Sequence, residues 1–245
     1  MPSSPSTATA RPTAPPASGC STPADALPLT GLLSTAISVV ETFADDDRPD
    51  LYRGERALVA GAVQRRVAEF ATARRCARDA LTAFGERVPI LAGPDREPLW
   101  PAGVVGSITH CAGYRAAAVA PVSAGLALGI DAEPNLPLPD GVLAVVTRPA
   151  ERQAVAARQA AMPSIAWDRL VFSAKESVYK AWFPLTGTWL GFEDAELTIG
   201  SGTFSATIDA APSRGPAGSV PRIMTGRWTL DVRRQLLLTC VERWE

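Results

Sequence analysis

Lysine and histidine are almost absent from this sequence. Of its 24 basic residues only two are lysines, Lys175 and Lys180, and the single histidine is His110. Every other residue in that count is arginine. Lysine differs chemically from arginine, because it is a compact, strongly hydrated point charge on a flexible stem. Both lysines lie in one run, FSAKESVYKAW, and the histidine lies in GSITHC. These two runs are the first places to look for chemistry.

Long apolar runs and a strong net charge are also missing. Uncharged stretches such as Ala26–Val40 and Ala116–Ile130 have 15 residues and contain proline or glycine. Since a membrane-spanning helix needs about 20 apolar residues, we expect no membrane partner. No basic segment leads into an apolar one, so we also expect no signal peptide. The formal net charge of −1 provides no field to attract nucleic acid.

Metal-binding cysteine pairs and common nucleotide motifs are absent. None of the four cysteines has the CxxC spacing of zinc knuckles or dithiol redox sites. A chain of 245 residues can bury a core without disulfides, so we expect reduced thiols and a cytoplasmic location. Walker A, GxGxxG and HExxH motifs do not occur either.

The chain begins with low complexity and continues as an alternation of helix and strand signals. Residues 1–28 are mostly Ser, Thr, Ala and Pro, which predicts a disordered tail. Apolar residues at helical spacing predict a helix over Glu55–Phe84, with Arg74 on its inward face. An inward arginine either packs its stem and meets a structural carboxylate, or it awaits an anion. The pattern leaves both interpretations open.

The remaining elements predict an α+β fold, because helices stand beside segregated strands. The predicted elements are a strand at Ile37–Phe43, a loop at Pro89–Gly106, a hairpin of Arg115–Val122 with Leu126–Glu133, helices at Pro149–Ala161 and Ile165–Trp182, and three or four antiparallel strands from Phe192 to Trp244.

Two acidic side chains share a face at the end of a predicted strand. In GIDAE, Asp131 and Glu133 are two residues apart and therefore project together. Oxygen ligands favour Mg²⁺ or Mn²⁺ over zinc, although two solvated carboxylates are the simpler interpretation. On the following helix, Glu176 and Lys180 are spaced i,i+4, which is either an ordinary helix pair or a third metal ligand beside a phosphate partner.

The GSITH run offers hydroxyl and imidazole groups that suit a phosphate. Ser107 and Thr109 can donate hydrogen bonds beside His110, although a lone histidine is more often structural. A hydrolase pairing of Ser107 with His110 is disfavoured, because the GxSxG context is missing.

Taken together, the motifs resemble those of the Sfp-type 4′-phosphopantetheinyl transferases. That family has three blocks in this order, here EPLWPAGVVGSITH at 97–110, GIDAE at 129–133, and Trp167 followed by FSAKESVYKA at 172–181. The continuation as WFPLT and WLGFEDA resembles the actinobacterial type. The resemblance implies a pseudo-dimer of two similar α+β lobes, residues 29–124 and 125–245, with coenzyme A in the cleft between them and a monomeric chain.

The resemblance also implies roles for individual residues. Asp131, Glu133 and Glu176 match Mg²⁺ ligands (Mn²⁺ is an alternative metal), and Lys175 and Lys180 match residues near the CoA pyrophosphate. Glu176, directly or through a metal-bound water, is the candidate general base, and deprotonated Lys175 is the weaker candidate.

The first lobe is expected to hold the CoA phosphates. His110 matches the ligand of the 3′-phosphate, Arg65 and Arg74 match arginines that contact phosphates, and Ser107 and Thr109 flank the same pocket. Ala92 stands where related sequences often have a basic residue. Arg96, four residues later, is a candidate to compensate.

The implied reaction transfers 4′-phosphopantetheine from coenzyme A to a serine of an apo acyl or peptidyl carrier protein. The products are holo-carrier protein and adenosine 3′,5′-bisphosphate. Two alternatives use the same residues, namely a Mg²⁺-dependent phosphohydrolase of CoA or nucleotides, and a non-catalytic relative that binds CoA or carrier proteins. Arg148, Arg152 and Arg158 form either a contact for acidic carrier helices or an ordinary solvated helix face.

Overall fold

The structure, a computed structural model, describes residues 28–46, 50–124, 127–212 and 222–244. The tail predicted over 1–28 lies outside the described residues except for Pro28. The helices are α1 (Pro28–Leu32), α2 (Arg53–Leu58), α3 (Gln64–Leu81), α4 (Val142–Val146), α5 (Pro149–Ala161) and α6 (Trp167–Thr186). The strands are β1 (Ser38–Thr42), β2 (Leu91–Ala92), β3 (Pro98–Leu99), β4 (Val104–Cys111), β5 (Tyr114–Pro121), β6 (Gly129–Pro134), β7 (Ala195–Ile199), β8 (Thr203–Ile208), β9 (Ile223–Asp231) and β10 (Leu236–Trp244).

The strands form two principal antiparallel sheets and one small hairpin. The first sheet has the order β1-β5-β4, the second has the order β6-β10-β9-β8-β7, and β2 pairs with β3. The α+β prediction is confirmed. The strand near Ile37–Phe43, helix α5 and the four antiparallel strands at the C-terminal end are confirmed as well.

The hairpin predicted between β5 and β6 is wrong. β5 pairs with β4 on one side and with β1 on the other, whereas β6 pairs with β10. The physical reason is that Tyr114 through Ala120 are all buried, so β5 is a central strand that needs a partner on both sides. The chain then leaves this sheet through a short 3₁₀ turn at Val122–Ala124.

The long helix predicted over Glu55–Phe84 is divided. α2 and α3 are separated by a turn in which Gly61 has φ +80°, a backbone conformation that favours glycine. Along α3, small buried residues such as Cys76, Ala77 and Ala80 pack against Ala117 and Val119 of β5. Small side chains on both surfaces bring the helix close to the first sheet.

Helix α6 packs on the second sheet and approaches β6 very closely. Its buried residues Leu170, Ala174 and Val178 belong to one core with Leu237 and Val241 of β10. At Gly129, a Cβ atom would lie 1.9 Å from the backbone oxygen of Ser177. Glycine at the start of the GIDAE run is therefore a steric requirement, since it lets α6 lie directly over the strand that carries the carboxylates.

The two sheets meet where β4 lies beside β6. The backbone N–H of Ile130 donates to Ser107 Oγ, and the N–H of Ala132 donates to Thr109 Oγ1, both at 3.0 Å. Side-chain hydroxyls on one edge thus satisfy backbone donors on the other edge, where a sheet ladder would use carbonyl oxygens. Leu29 of α1 belongs to the buried core that joins the two sheets on one side.

Within the described residues, no helix combines the length and the apolar character needed to cross a membrane. Cys76, Cys111 and Cys240 are free thiols. Cys20 lies outside the described residues.

Candidate active site

Asp131 lies at the centre of the candidate site, on β6 beneath α6. Its Oδ1 accepts hydrogen bonds from Lys180 Nζ at 2.6 Å and from the Thr109 hydroxyl at 3.2 Å. Its Oδ2 is buried and has no hydrogen-bond partner among the described residues. A buried carboxylate oxygen without a donor is costly. A positively charged ligand bound to Oδ2 would remove that cost.

Glu176 lies one helical turn before Lys180 on α6 and is partly buried. Burial raises the pKa of its carboxyl group, Lys180 opposes that shift, and the negative charge of Asp131 adds to it. Lys180, one turn further along α6, contacts Asp131 Oδ1, so the helix presents the same face to the strand at Glu176. A cation between Asp131 and Glu176 would relieve their repulsion.

Glu133 is held differently, because its Oε2 accepts from Arg169 Nη1 at 3.0 Å. Arg169 also donates to the carbonyl oxygens of Leu136 and Pro137, so it ties Glu133 to the loop that follows β6. Burial and the nearby Asp131 raise the pKa of Glu133. Among the described residues, no three His, Cys, Asp or Glu side chains are grouped closely enough to hold a metal ion. The predicted trio of ligands is therefore not assembled as a three-carboxylate site in this structure.

Lys175, which is expected to contact the pyrophosphate, forms a buried ion pair in this structure. Its ammonium is buried, donates to Glu151 Oε2 at 2.9 Å, and donates to the carbonyl oxygen of Phe192 at 2.7 Å. Glu151 in turn accepts from the backbone N–H groups of Arg148 and Leu197. Burial lowers the pKa of Lys175, while Glu151 opposes that shift. These contacts describe a buried ion pair, and the contact of Lys175 with the pyrophosphate stays a prediction.

The histidine of the GSITH run is in contact with an arginine that sequence reasoning did not select. Arg66 Nη1 lies 2.7 Å from His110 Nε2. Arg65, which was selected, is 87% exposed and approaches Glu69 at 3.5 Å. Partial burial, followed by the charges of Arg66 and Lys180, lowers the pKa of His110. The arginine in contact with His110 is therefore Arg66 and not Arg65.

Arg74 is buried on the inward face of α3, as predicted. Its guanidinium lies 4.4 Å from the centre of the Phe70 ring, and its Nε is buried without a hydrogen-bond partner among the described residues. Burial lowers its pKa to about 10. By contrast, the neighbouring inward arginine, Arg78, forms an ion pair with Glu55 at 2.7 Å. Arg74 thus has no partnering carboxylate in the described part of the chain, which favours the interpretation that it awaits an anion.

Two further groups selected from the sequence occupy other positions. The hydroxyls of Ser107 and Thr109 are nearly fully buried and contact β6, so the structure does not place them on an open pocket. Arg96 is exposed in the turn between β2 and β3, with φ +68°. Ala92, on β2, belongs to the same hairpin.

A small cavity beside Glu176 was missed by the sequence reasoning. It measures about 120 Å³, and Tyr179, Trp189 and Phe192 are among its lining residues. The rings of Tyr179 and Trp189 lie 4.9 Å apart, and Trp189 is 67% exposed. The spacing of Glu176 and Tyr179 on one helix was the available signal, since residues three apart share a helix face.

The three arginines considered for carrier contacts are engaged within the chain. Arg148 pairs with Glu196 and Asp209, Arg152 donates to the Thr147 carbonyl, and Arg158 donates to the Ile199 carbonyl. These contacts favour the interpretation of an ordinary helix surface.

Two protein-family models match the chain. Residues 54–120 match the 4′-phosphopantetheinyl transferase N-terminal domain, and residues 127–229 match the 4′-phosphopantetheinyl transferase superfamily. The first match contains Arg66, Arg74 and His110. The second contains Asp131 and Lys180.

Individual relatives cover most of the chain. It is 51% identical over 199 residues to the 4′-phosphopantetheinyl transferase Svp of Streptomyces mobaraensis, covering 77% of this chain and 80% of the relative. It is 43% identical over 215 residues to PptT of Mycobacterium tuberculosis, covering 84% and 91%, and 45% identical over 210 residues to Npt of Nocardia iowensis, covering 81% and 93%. The chain therefore belongs to the 4′-phosphopantetheinyl transferase superfamily and is an enzyme of that class.

Proposed function

We propose that this protein transfers 4′-phosphopantetheine from coenzyme A to a serine hydroxyl of an apo acyl or peptidyl carrier protein. The serine oxygen attacks the β-phosphorus of CoA, the bond to the leaving phosphate breaks, and adenosine 3′,5′-bisphosphate departs. The observation that carries the proposal is that β4, β6 and α6 bring basic and acidic side chains together. Thr109, the neighbour of His110 on β4, donates to Asp131 Oδ1 on β6, and the same oxygen accepts from Lys180 on α6.

The basic group at the end of β4 suits the 3′-phosphate of CoA. Arg66 and His110 are already in contact, and Arg74 has an unpartnered buried Nε on the same helix as Arg66. Arginine forks match phosphate oxygens well, and such charge-assisted hydrogen bonds are the strong ones. We include Arg66 in the phosphate site in addition to the predicted His110 and Arg74, and we propose no contact for the exposed Arg65.

The acidic residues suit a divalent cation with oxygen ligands. Asp131 Oδ2 has no hydrogen-bond partner among the described residues, and Glu176 lies on α6 one turn before Lys180, which contacts Asp131. Glu133 lies two residues after Asp131 on β6 and would have to release Arg169 to join them. Asp131, Glu176 and Glu133 would hold Mg²⁺, or Mn²⁺ in its place. The ion, when bound, neutralises charge that develops on the pyrophosphate oxygens.

The remaining steps fall to side chains of this chain. Lys180 lies beside Asp131, where its ammonium can stabilise charge on the phosphate oxygens as the bond to the leaving group breaks. Glu176 is the candidate that accepts the serine proton, because it lies on α6 one turn from Lys180, which contacts Asp131. Lys175 is a poor candidate base, since its ammonium is enclosed by Glu151 and the Phe192 carbonyl.

We also propose that the two sheets are the cores of two related lobes, with CoA in the cleft between them. Each sheet carries one long helix, α3 on the first and α6 on the second, and the two family matches end and begin at residues 120 and 127. The boundary between residues 124 and 125 remains a prediction. The monomeric state and the cytoplasmic location also remain predictions.

The test is the intact mass of an apo acyl carrier protein after incubation with this protein, CoA and Mg²⁺. A gain of one phosphopantetheine arm, absent with EDTA, supports both the transfer and its metal dependence. Asp131→Asn is the matched variant, because it keeps the size of the side chain and removes its charge. We expect this variant to leave the carrier in the apo form.

Two controls separate the alternatives. A phosphohydrolase would consume CoA in a mixture without carrier protein, and a non-catalytic relative would consume none in any mixture. If acyl and peptidyl carrier proteins both keep their apo mass while CoA is consumed, the transferase proposal is overturned.

A further inference from the structure

Thr109 stands apart from the other polar residues near the site, because its hydroxyl on β4 contacts both the backbone and a carboxylate of β6. It lies on β4, accepts from the backbone N–H of Ala132 on β6 at 3.0 Å, and donates to Asp131 Oδ1 at 3.2 Å. A hydroxyl has one proton to donate and can accept more than one bond. The single hydroxyl proton of Thr109 is therefore donated to Asp131.

The orientation of the Asp131 carboxylate follows from this contact. Oδ1 receives both available donors, the Thr109 hydroxyl from β4 and Lys180 Nζ from α6, while Oδ2 receives none from the described residues. Lysine has a flexible stem, whereas Thr109 is 1% exposed and fixed to the backbone of β6. The hydroxyl is thus the rigid member of the pair that holds Oδ1.

We propose that Thr109 is a positioning residue for Asp131, whose hydroxyl fixes Oδ1 so that Oδ2 is the oxygen presented to the divalent cation, and that it makes no contact with CoA. The inference rests on the proposed function, because it concerns the same carboxylate. It differs from the expectation drawn from the GSITH motif, in which Thr109 flanks the pocket for the CoA phosphates.

Ser107 provides a matched control two residues earlier on the same strand. Its hydroxyl accepts from the backbone N–H of Ile130 in the same way and at the same distance, and no described contact joins it to Asp131. Ser107→Ala and Thr109→Val each remove one hydroxyl that joins β4 to β6. Only Thr109→Val also releases the carboxylate. Thr109→Ser keeps the hydroxyl at the same place.

The experiment measures Mn²⁺ binding to the full chain saturated with CoA, by the loss of the free-ion signal in electron paramagnetic resonance, with CoA alone as background. We expect Thr109→Val to weaken Mn²⁺ binding about tenfold, the lower end of the usual effect of removing a group that orients a metal ligand. Thr109→Ser and Ser107→Ala should bind Mn²⁺ as the unmodified chain does. In EDTA, Thr109→Val should retain its affinity for CoA.

Three results would overturn the inference. They are wild-type Mn²⁺ affinity in Thr109→Val, an equal loss in Ser107→Ala, and a loss of CoA affinity in EDTA that is confined to Thr109→Val. If Thr109→Val does not fold, Thr109→Cys replaces it, because a thiol is a weak donor and acceptor, and an intermediate Mn²⁺ affinity is expected. The proposed function is tested separately, by the intact mass of a carrier protein after incubation with the unmodified chain, CoA and Mg²⁺.

Discussion

Arg66 Nη1 donates a hydrogen bond to Nε2 of His110, 2.7 Å away. A guanidinium has only donors, so the imidazole nitrogen that faces it must accept, and His110 is neutral with its proton on Nδ1. Partial burial and the charges of Arg66 and Lys180 lower the pKa of His110 in the same direction. An anion placed between these groups would reverse the effect of the cations and raise that pKa.

The first prediction is therefore that CoA binding is accompanied by proton uptake at His110. The pKa of His110 is lowered from its ordinary value of 6.5 in the free protein and should rise when the 3′-phosphate binds. CoA should bind more tightly as the pH falls through the bound-state pKa, and affinity should be lost as the pH rises. Calorimetry in buffers of different ionisation enthalpy measures the uptake. Dephospho-CoA, which lacks the 3′-phosphate, should show less uptake, and equal uptake with both ligands would contradict this role.

The second prediction compares two adjacent arginines. Arg66→Gln should raise the KM for CoA roughly tenfold or more, because it removes a charged hydrogen-bond donor from the phosphate site. Arg65→Gln is the matched control and should leave KM nearly unchanged, since the Arg65 side chain is 87% exposed and pairs with Glu69 at its surface. The measurement is steady-state transfer to a carrier protein at varied CoA concentration. A larger effect from Arg65 would favour the original assignment from the sequence.

The third prediction separates the two lysines. Lys180→Met should abolish transfer, because Lys180 contacts Asp131. It should cost less of the free energy of unfolding than Lys175→Met, because Lys180 is partly exposed and Asp131 keeps its hydrogen bond from Thr109. Lys175→Met should instead cost about 3 kcal/mol of the free energy of unfolding, since it leaves Glu151 buried without its partner. Urea unfolding and activity per folded molecule provide the two readouts. If Lys175→Met is as stable as the unmodified chain but inactive, a direct role in the reaction is restored.

These pairs show which parts of the site can be predicted from a sequence. The alternation along β6 correctly placed Asp131 and Glu133 at one strand end, because period two is a property of every strand. Adjacent helix residues are about 100° apart around the axis, so Lys175 and Glu176 cannot face the same point, and the same is true of Arg65 and Arg66. A match to a sequence motif does not show which of two adjacent helix residues faces the site.

Pairing between distant segments could not be predicted either. The strand signals of β5 and β6 were real, but their partners, β1 and β10, lie far away in the chain. The inward position of Arg74 was predictable from helical spacing. That Glu55 pairs with Arg78 instead of Arg74 was not predictable, because it depends on how α2 packs against α3. Likewise, the hydroxyl of Thr109 acquires its role only because β4 lies beside β6.

The last prediction concerns the glycine that begins the GIDAE run. Gly129→Ala should lower the free energy of unfolding by about 3 kcal/mol, the upper range for overpacking a filled core, because its Cβ would lie 1.9 Å from the Ser177 carbonyl oxygen. Relief of that clash requires α6 and β6 to separate, which would draw Glu176 and Lys180 away from Asp131 and reduce transfer. Gly31→Ala is the control, since no atom of the described residues outside its own helix backbone and chain neighbours lies within 4 Å of its Cβ position, and alanine should stabilise α1 slightly. Urea unfolding of both variants, with transfer measured on the folded fraction, checks the prediction. Equal stability of Gly129→Ala and the unmodified chain would mean that α6 does not lie against β6 as the structure describes.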